Sequence, residues 1–184
     1  MDGANGYLAS GYSKVLSEFV LKVQKLKDRL VSHGYSLKGE EPLKITVSAK
    51  DYGYEGTELA KLLLEKDIVC EFADPDYLVL MLTPEIGDDE LARLEGVLLS
   101  IKKRPEIISQ PPRRAALERR MSIREATISP CEALPVEECE GRVLARLGVS
   151  CPPAVPIAVS GEIITKEMID CFKYYGLDKI SVVK

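Results

Sequence analysis

Glu71 and Asp74 stand three residues apart between two apolar runs, and Arg124 and Glu125 are adjacent. Gly161-Glu162 follows a proline-rich stretch, Cys151-Pro152-Pro153-Ala154-Val155-Pro156. Carboxylates so placed suit charge-assisted hydrogen bonds to an ammonium or guanidinium group. Each constellation also has a plain structural reading. Glu71 and Asp74 can end a strand in a turn, Arg124 and Glu125 can form a surface ion pair of little energetic weight, and the prolines can simply join two strands. The prolines fix φ and bias their preceding residues toward extended backbone, so that loop has a set shape before packing. Loops on a rigid scaffold carry function more often than the elements they join.

Thiol chemistry is the next possibility. A nucleophilic Cys151 needs a base beside it, and the single histidine of the chain, His33, falls at the end of a predicted helix, where the dipole favours a cation. The five cysteines, Cys70, Cys131, Cys139, Cys151 and Cys171, are odd in number and never fall in a Cys-x-x-Cys spacing. That pattern argues against a disulfide framework, and Cys131, Cys139 and Cys151 match no standard zinc spacing. They read as reduced core or loop thiols, with no metal expected.

Charge is unevenly spread. Residues 102–124 carry eight Lys or Arg against two Glu, leaving an acidic remainder in a chain of net charge −4. Such an arm could hold a phosphate or a nucleic acid, but it has no aromatic side chains for base stacking and no reader motif. Nucleic-acid binding is therefore not expected. No apolar run approaches the ~20 residues of a membrane span, and the first residues lack a basic region followed by an apolar core. A cytoplasmic, membrane-free protein is the expectation.

The elements that must position these residues follow from periodicity. Val15, Phe19, Val23, Leu26 and Leu30 recur every three or four residues, predicting an amphipathic helix from Ser13 to Ser32 that stops at Gly34. The lead Gly6 to Tyr12 reads as flexible. Leu43 to Ala49 alternates as a half-buried strand, and Thr57 is a candidate N-cap for a Leu-rich helix carrying Leu59, Leu62 and Leu63 inward. Strands are predicted at Ile68 to Phe72 and Tyr77 to Leu82, then a helix from Gly87 with the stripe Leu91, Leu94, Leu98 and Ile101. That order describes an α/β (α+β) sandwich with an antiparallel or mixed sheet and helices on one face. Pro105 to Pro112 reads as a linker. Beyond it come a short acidic helix start at Pro135 to Glu138, a turn at Gly141, a strand Val155 to Val159, a helix capped by Thr165, and a strand Lys179 to Val183. The predicted domains are 1–103, a basic proline-rich linker 104–124, and 125–184.

Several of these pieces occur together in a known order. Ser122-Ile123-Arg124-Glu125-Ala126, Leu134-Pro135-Val136-Glu137-Glu138-Cys139-Glu140-Gly141-Arg142, the Cys151 to Pro156 loop and Ser160-Gly161-Glu162 resemble the C-terminal part of the pyridoxal-phosphate-dependent ornithine/lysine/arginine decarboxylases. The segment Val69 to Asp74 with Tyr77 to Thr83 is similar to that family's Glu-x-x-Asp strand pair. Cys151 stands where the family has tyrosine, and Ala154 where it has glycine. The resemblance implies the small domain of an aspartate-aminotransferase-like enzyme followed by a small C-terminal domain. It places Glu71, Asp74, Arg124, Glu125, Cys151, Pro152, Pro153, Gly161 and Glu162 near substrate or cofactor.

The family forms its Schiff base on a lysine in a Ser-x-His-Lys motif within a large doubly wound domain, and this chain contains neither. The expectation is thus the C-terminal portion of a basic amino-acid decarboxylase of polyamine metabolism, catalytically silent alone and with no cofactor bound to it. Its partners would be the pyridoxal-phosphate-binding large domain, a small basic amino acid as substrate, and a second copy in a homo-oligomer, most simply a homodimer. Two rival readings are a stand-alone binding or regulatory module using the basic arm 102–124, and a purely structural assembly domain.

Overall fold

Phe19, Val23, Leu26 and Leu30 lie on one stripe of a 21-residue helix, and all four are buried. Val15, expected on the same stripe, is 49% exposed because the packing begins one turn later. The computed structural model describes residues 2–113, 117–146 and 156–184. These fall into two compact units, Met1–Ile108 and Ser109–Lys184.

In the first unit a short helix α1 (Asp2–Tyr7) leads through a π-type turn, Leu8–Tyr12, into α2 (Ser13–His33). The lead is not a free tail: Tyr7 donates its hydroxyl to Glu85 Oε1 at 2.5 Å, and the chain kinks at Ser10 and Gly11. The helix ends where expected, at Gly34, whose φ of 104° is the left-handed stop that glycine takes without a Cβ penalty. Then follow β1 (Leu37–Lys38), β2 (Lys44–Ser48), α3 (Gly56–Leu64), β3 (Phe72–Ala73), β4 (Tyr77–Met81) and α4 (Gly87–Ser100). The sheet order is β1-β2-β4-β3, antiparallel throughout.

Ile45 pairs with Leu80 and Val47 with Leu78, so these four point to one face, as side-chain alternation requires. They share a core with the α2 stripe, Leu59 and Leu63 of α3, and Leu91, Leu94 and Leu98 of α4. Two expectations differ. The strand predicted at Ile68 to Phe72 is reduced to Phe72–Ala73, since the chain leaves α3 through Asp67 at a φ of 56° and joins β4 only at its end. Thr57 does not cap α3; the cap position is Glu55, without a side-chain bond.

The second unit holds α5 (Ile123–Ile128), β5 (Cys131–Pro135), β6 (Leu144–Arg146), α6 (Lys166–Tyr174) and β7 (Lys179–Val183), with sheet order β5-β7-β6. Thr165 caps α6 as predicted, accepting from Met168 N–H at 3.4 Å. Phe172, Met168, Ile164, Leu144, Ile180 and Val182 are buried together with Val136 beneath this sheet. The predicted strand Val155 to Val159 is not formed over 156–159, which turn instead; Val155 lies outside the described residues. The expected linker is bound at both ends. Arg104 N–H donates to Tyr52 C=O at 3.2 Å and Ile107 N–H to Lys50 C=O at 3.1 Å, while Glu118 C=O accepts from Ile163 N–H at 2.9 Å. No helix of the described residues is long and apolar enough to cross a membrane.

Candidate functional site

Asp74 opens the turn into β4. Its Oδ1 accepts from the N–H of Asp76 at 2.8 Å and of Tyr77 at 2.7 Å, an Asx-type turn built from its own neighbours. The backbone of the same turn holds α3: Thr57 N–H donates to Asp74 C=O and Gly56 N–H to Pro75 C=O. Only glycine fits at 56, since a Cβ there would lie 2.1 Å from Tyr77 O. The loop's carbonyls thus replace the side-chain cap that Thr57 was expected to supply. Burial pushes the Asp74 carboxyl above its ordinary range, although the two amide donors pull the other way. Glu71 is exposed, and its N–H donates to Val79 C=O at 3.0 Å.

Beside this turn lies a pair that sequence reasoning passed over. Lys50 Nζ and Asp76 Oδ1 are 2.9 Å apart with both side chains about nine-tenths buried. A lysine directly after an alternating strand was the available signal, but its burial rests on a partner, Asp76, that lies far along the chain. Also unforeseen was the stack of Tyr35, Tyr52 and Tyr54, whose hydroxyls donate to Leu98, Ile101 and Lys102 C=O at 2.8, 2.9 and 2.8 Å. The strap after α4 crosses this stack. Arg104 lies 4.0 Å from the Tyr54 ring and reaches Glu58 at 2.7 Å, so this part of the basic arm is tied down.

In the second unit, Ser122 and Glu125 form a reciprocal capping box at the start of α5. Ser122 N–H donates to Glu125 Oε2 at 2.8 Å, and the bonds from Ser122 hold the Glu125 carboxyl below its ordinary range. Glu125 therefore serves the helix start, and Arg124 beside it is exposed. Gly161 is buried at φ 94°, and a Cβ there would lie 2.4 Å from Met121 O. Its C=O accepts from both Arg120 and Met121 N–H, at 2.8 and 3.2 Å. Glu162 is only 7% exposed, and its Oε2 accepts from Val159 N–H at 2.8 Å, closing the turn 159–162. Cys151, Pro152 and Pro153 lie outside the described residues.

The predicted site residues that are described divide between the two units. Glu71 and Asp74 belong to one unit, Arg124, Glu125, Gly161 and Glu162 to the other. Among the described residues no buried side-chain nitrogen or oxygen lacks a partner. Burial raises the Cys70 thiol to about 11 and the Cys139 thiol above its usual value, which keeps both protonated and unreactive. Among the described residues no three ligand-type side chains cluster as a metal site. Such geometry shapes backbone turns and presents their surfaces.

Residues 103–178 match the sequence profile described as Orn/Lys/Arg decarboxylase, C-terminal domain. Over these residues the chain is similar to the C-terminal domain of this decarboxylase family. Among relatives, an arginine decarboxylase of Bacillus subtilis is 29% identical over 136 residues, covering 70% of this chain and 28% of the relative. One from Bacillus anthracis is 30% identical over 141 residues, again 28% of its length. The chain therefore spans under a third of these curated relatives. The fold is shared with the lysine decarboxylase of Francisella novicida, at 17% identity and a TM-score of 0.54, over 81% of this chain and 32% of that one. The constitutive lysine decarboxylase of E. coli gives 18% and 0.52 over 78% of this chain. The clamped turn at Gly161 and Glu162 and the capping box at Ser122 and Glu125 both lie inside the stretch matching the Orn/Lys/Arg decarboxylase domain.

Proposed function

We propose that this chain is the C-terminal portion of a pyridoxal-phosphate-dependent basic amino-acid decarboxylase, a carbon–carbon lyase. It contributes an edge of the substrate pocket and subunit contacts, and it is silent without the domain bearing the Schiff-base lysine. The observation that carries this reading is the matched C-terminal domain over 103–178, set within a wider similarity to arginine decarboxylases.

Pyridoxal phosphate would supply the electron sink for loss of carbon dioxide from the substrate's α-carbon. The described residues do not fit that group by themselves. Lys50 is the one buried lysine among them and is already held by Asp76. Reaction at the cofactor thus belongs to another domain, and this chain's role is to position backbone and exclude water. The exposed Glu71 is the better of the two acids for a substrate's distal cation, because Asp74 is occupied by its own turn.

The test is carbon dioxide release from arginine, lysine and ornithine with added pyridoxal phosphate. It is run on the chain alone and after mixing with a large domain of the family that lacks its own C-terminal third. Silence alone and activity on mixing are expected. Decarboxylation by the chain alone, with a stoichiometric pyridoxyl-lysine trapped on it by borohydride, would overturn the reading.

A further inference from the structure

Among the described residues, strand β5 is an edge of the second sheet, bonded to β7 on one side only. Its phase is set by two flanking bonds: Lys184 N–H donates to Pro130 C=O and Val136 N–H to Asp178 C=O, each at 3.0 Å. In an antiparallel ladder bonded residues alternate, so Pro130, Glu132, Leu134 and Val136 face β7. The peptide N–H and C=O groups of Cys131 and Ala133, and the C=O of Pro135, therefore point away from the sheet. Ala133 is exposed. The Cys139 thiol lies 3.1 Å from Pro135 O, which leaves that carbonyl a second lone pair.

We propose that this edge pairs antiparallel with the same edge of a second copy, about a two-fold axis at Ala133. In that register each Ala133 N–H donates to the partner's Ala133 C=O, and each Cys131 N–H donates to the partner's Pro135 C=O. The missing proline N–H removes only the reverse bonds to Cys131. A register centred on Glu132 would make as many backbone bonds but would set Glu132 directly opposite itself, and like charges in that position repel. Centring on Ala133 puts Glu132 opposite Leu134 instead. Each Glu132 also brings its own countercharge, since Arg142 Nη2 lies 2.7 Å from its Oε1. The edge is thus complementary to itself in hydrogen bonding and in charge. The inference rests on the second unit alone and does not depend on the decarboxylase reading. A contact this short falls below the ~1,000 Å² of stable interfaces, so the association is weak and concentration-dependent.

Sedimentation equilibrium of the full chain, from micromolar to several hundred micromolar, should show a monomer–dimer equilibrium. Ala133→Pro removes an outward N–H without touching the ladder to β7, a position where proline is tolerated. It should raise the dissociation constant at least tenfold with an unchanged circular dichroism spectrum. Ala133→Cys places the two new thiols on facing residues about 5.5 Å apart at Cα, within disulfide reach. Oxidation should link the copies there and not in Lys166→Cys. A monomeric mass across the range, or a dimer unaffected by Ala133→Pro, overturns the proposal. Should Ala133→Pro fail to fold, amide exchange at Ala133 in the unmodified chain decides. Protection rising with protein concentration supports the paired edge; protection independent of concentration means that the chain covers its own edge and overturns it.

Discussion

Tyr52 lies stacked on Tyr35, with ring centroids 3.8 Å apart and planes 14° from parallel. The stack fixes two hydroxyls at the spacing of the carbonyls they serve, those of Leu98 and Ile101 at the end of α4. Removing the ring or only its hydroxyl should therefore give separable effects. Tyr52→Phe keeps the stack and loses one bond, an expected destabilisation of about 1 kcal/mol. Tyr52→Ala empties a fully buried site and should cost about 3–5 kcal/mol. Urea unfolding of the two variants measures both, and equal losses would show that the ring contributes nothing beyond its hydroxyl.

Lys50 and Asp76 make a buried pair, so single and double substitutions should differ sharply. Lys50→Met or Asp76→Leu alone leaves one charge buried beside an apolar group, with an expected loss of about 3–5 kcal/mol. The double variant should recover much of that. A double-mutant cycle from denaturant midpoints checks it, and simple additivity would mean the two groups do not act on each other.

The pH dependence of Asp74 has a definite sign. Its carboxyl is raised in the folded chain, chiefly by burial, so the folded state holds a proton more tightly than the unfolded state. Stability from this group therefore falls as pH rises from its unfolded value of about 3.9 through its raised folded value. Above that window the charged form is a net burden. Asp74→Asn keeps an oxygen for the amides of Asp76 and Tyr77 and removes the charge. It should be at least as stable as the parent at pH 7, with its advantage shrinking toward pH 4. Thermal unfolding across that range tests this; an advantage that grows in acid would reverse the assignment.

Gly161 and Glu162 should tolerate different changes. Gly161→Ala adds a Cβ into contact with Met121 O and strains a positive φ, so the clamp on 119–121 should open. Glu162→Gln retains an acceptor for Val159 N–H, whereas Glu162→Ala leaves that amide unpaired, at about 1–3 kcal/mol. Amide exchange at Arg120, Met121 and Val159 reports each contact directly.

Trypsin should cut first after Arg113. That residue is exposed and follows Pro111 and Pro112, whereas Arg104 is pinned by its backbone bond to Tyr52 and its contact with Glu58. Mass spectrometry of the earliest fragments decides it; initial cleavage at Lys103 or Arg104 would mean that the strap opens first.

The amino-acid order alone determined whatever depends on near neighbours. The α2 stripe, the Gly34 stop, the Thr165 cap and the bounds of β7 could be read directly, because periodicity and capping act within a few residues. The likeness to the decarboxylase C-terminal domain was likewise legible, through motifs in fixed order. The cap of α3 could not be read, since its partners are carbonyls of Asp74 and Pro75, brought near only when β4 folds back. The fates of Asp74 and Glu125, by contrast, are local: the turn read at Asp74 is there, its carboxylate on the amides of Asp76 and Tyr77, and the Ser122-x-x-Glu125 spacing is that of a capping box. The burial of Lys50 against Asp76, and the strap held across the tyrosines, depend on which segments meet in space. Tertiary packing alone decided those, because desolvation and ring stacking belong to the assembled core and to no single stretch of chain.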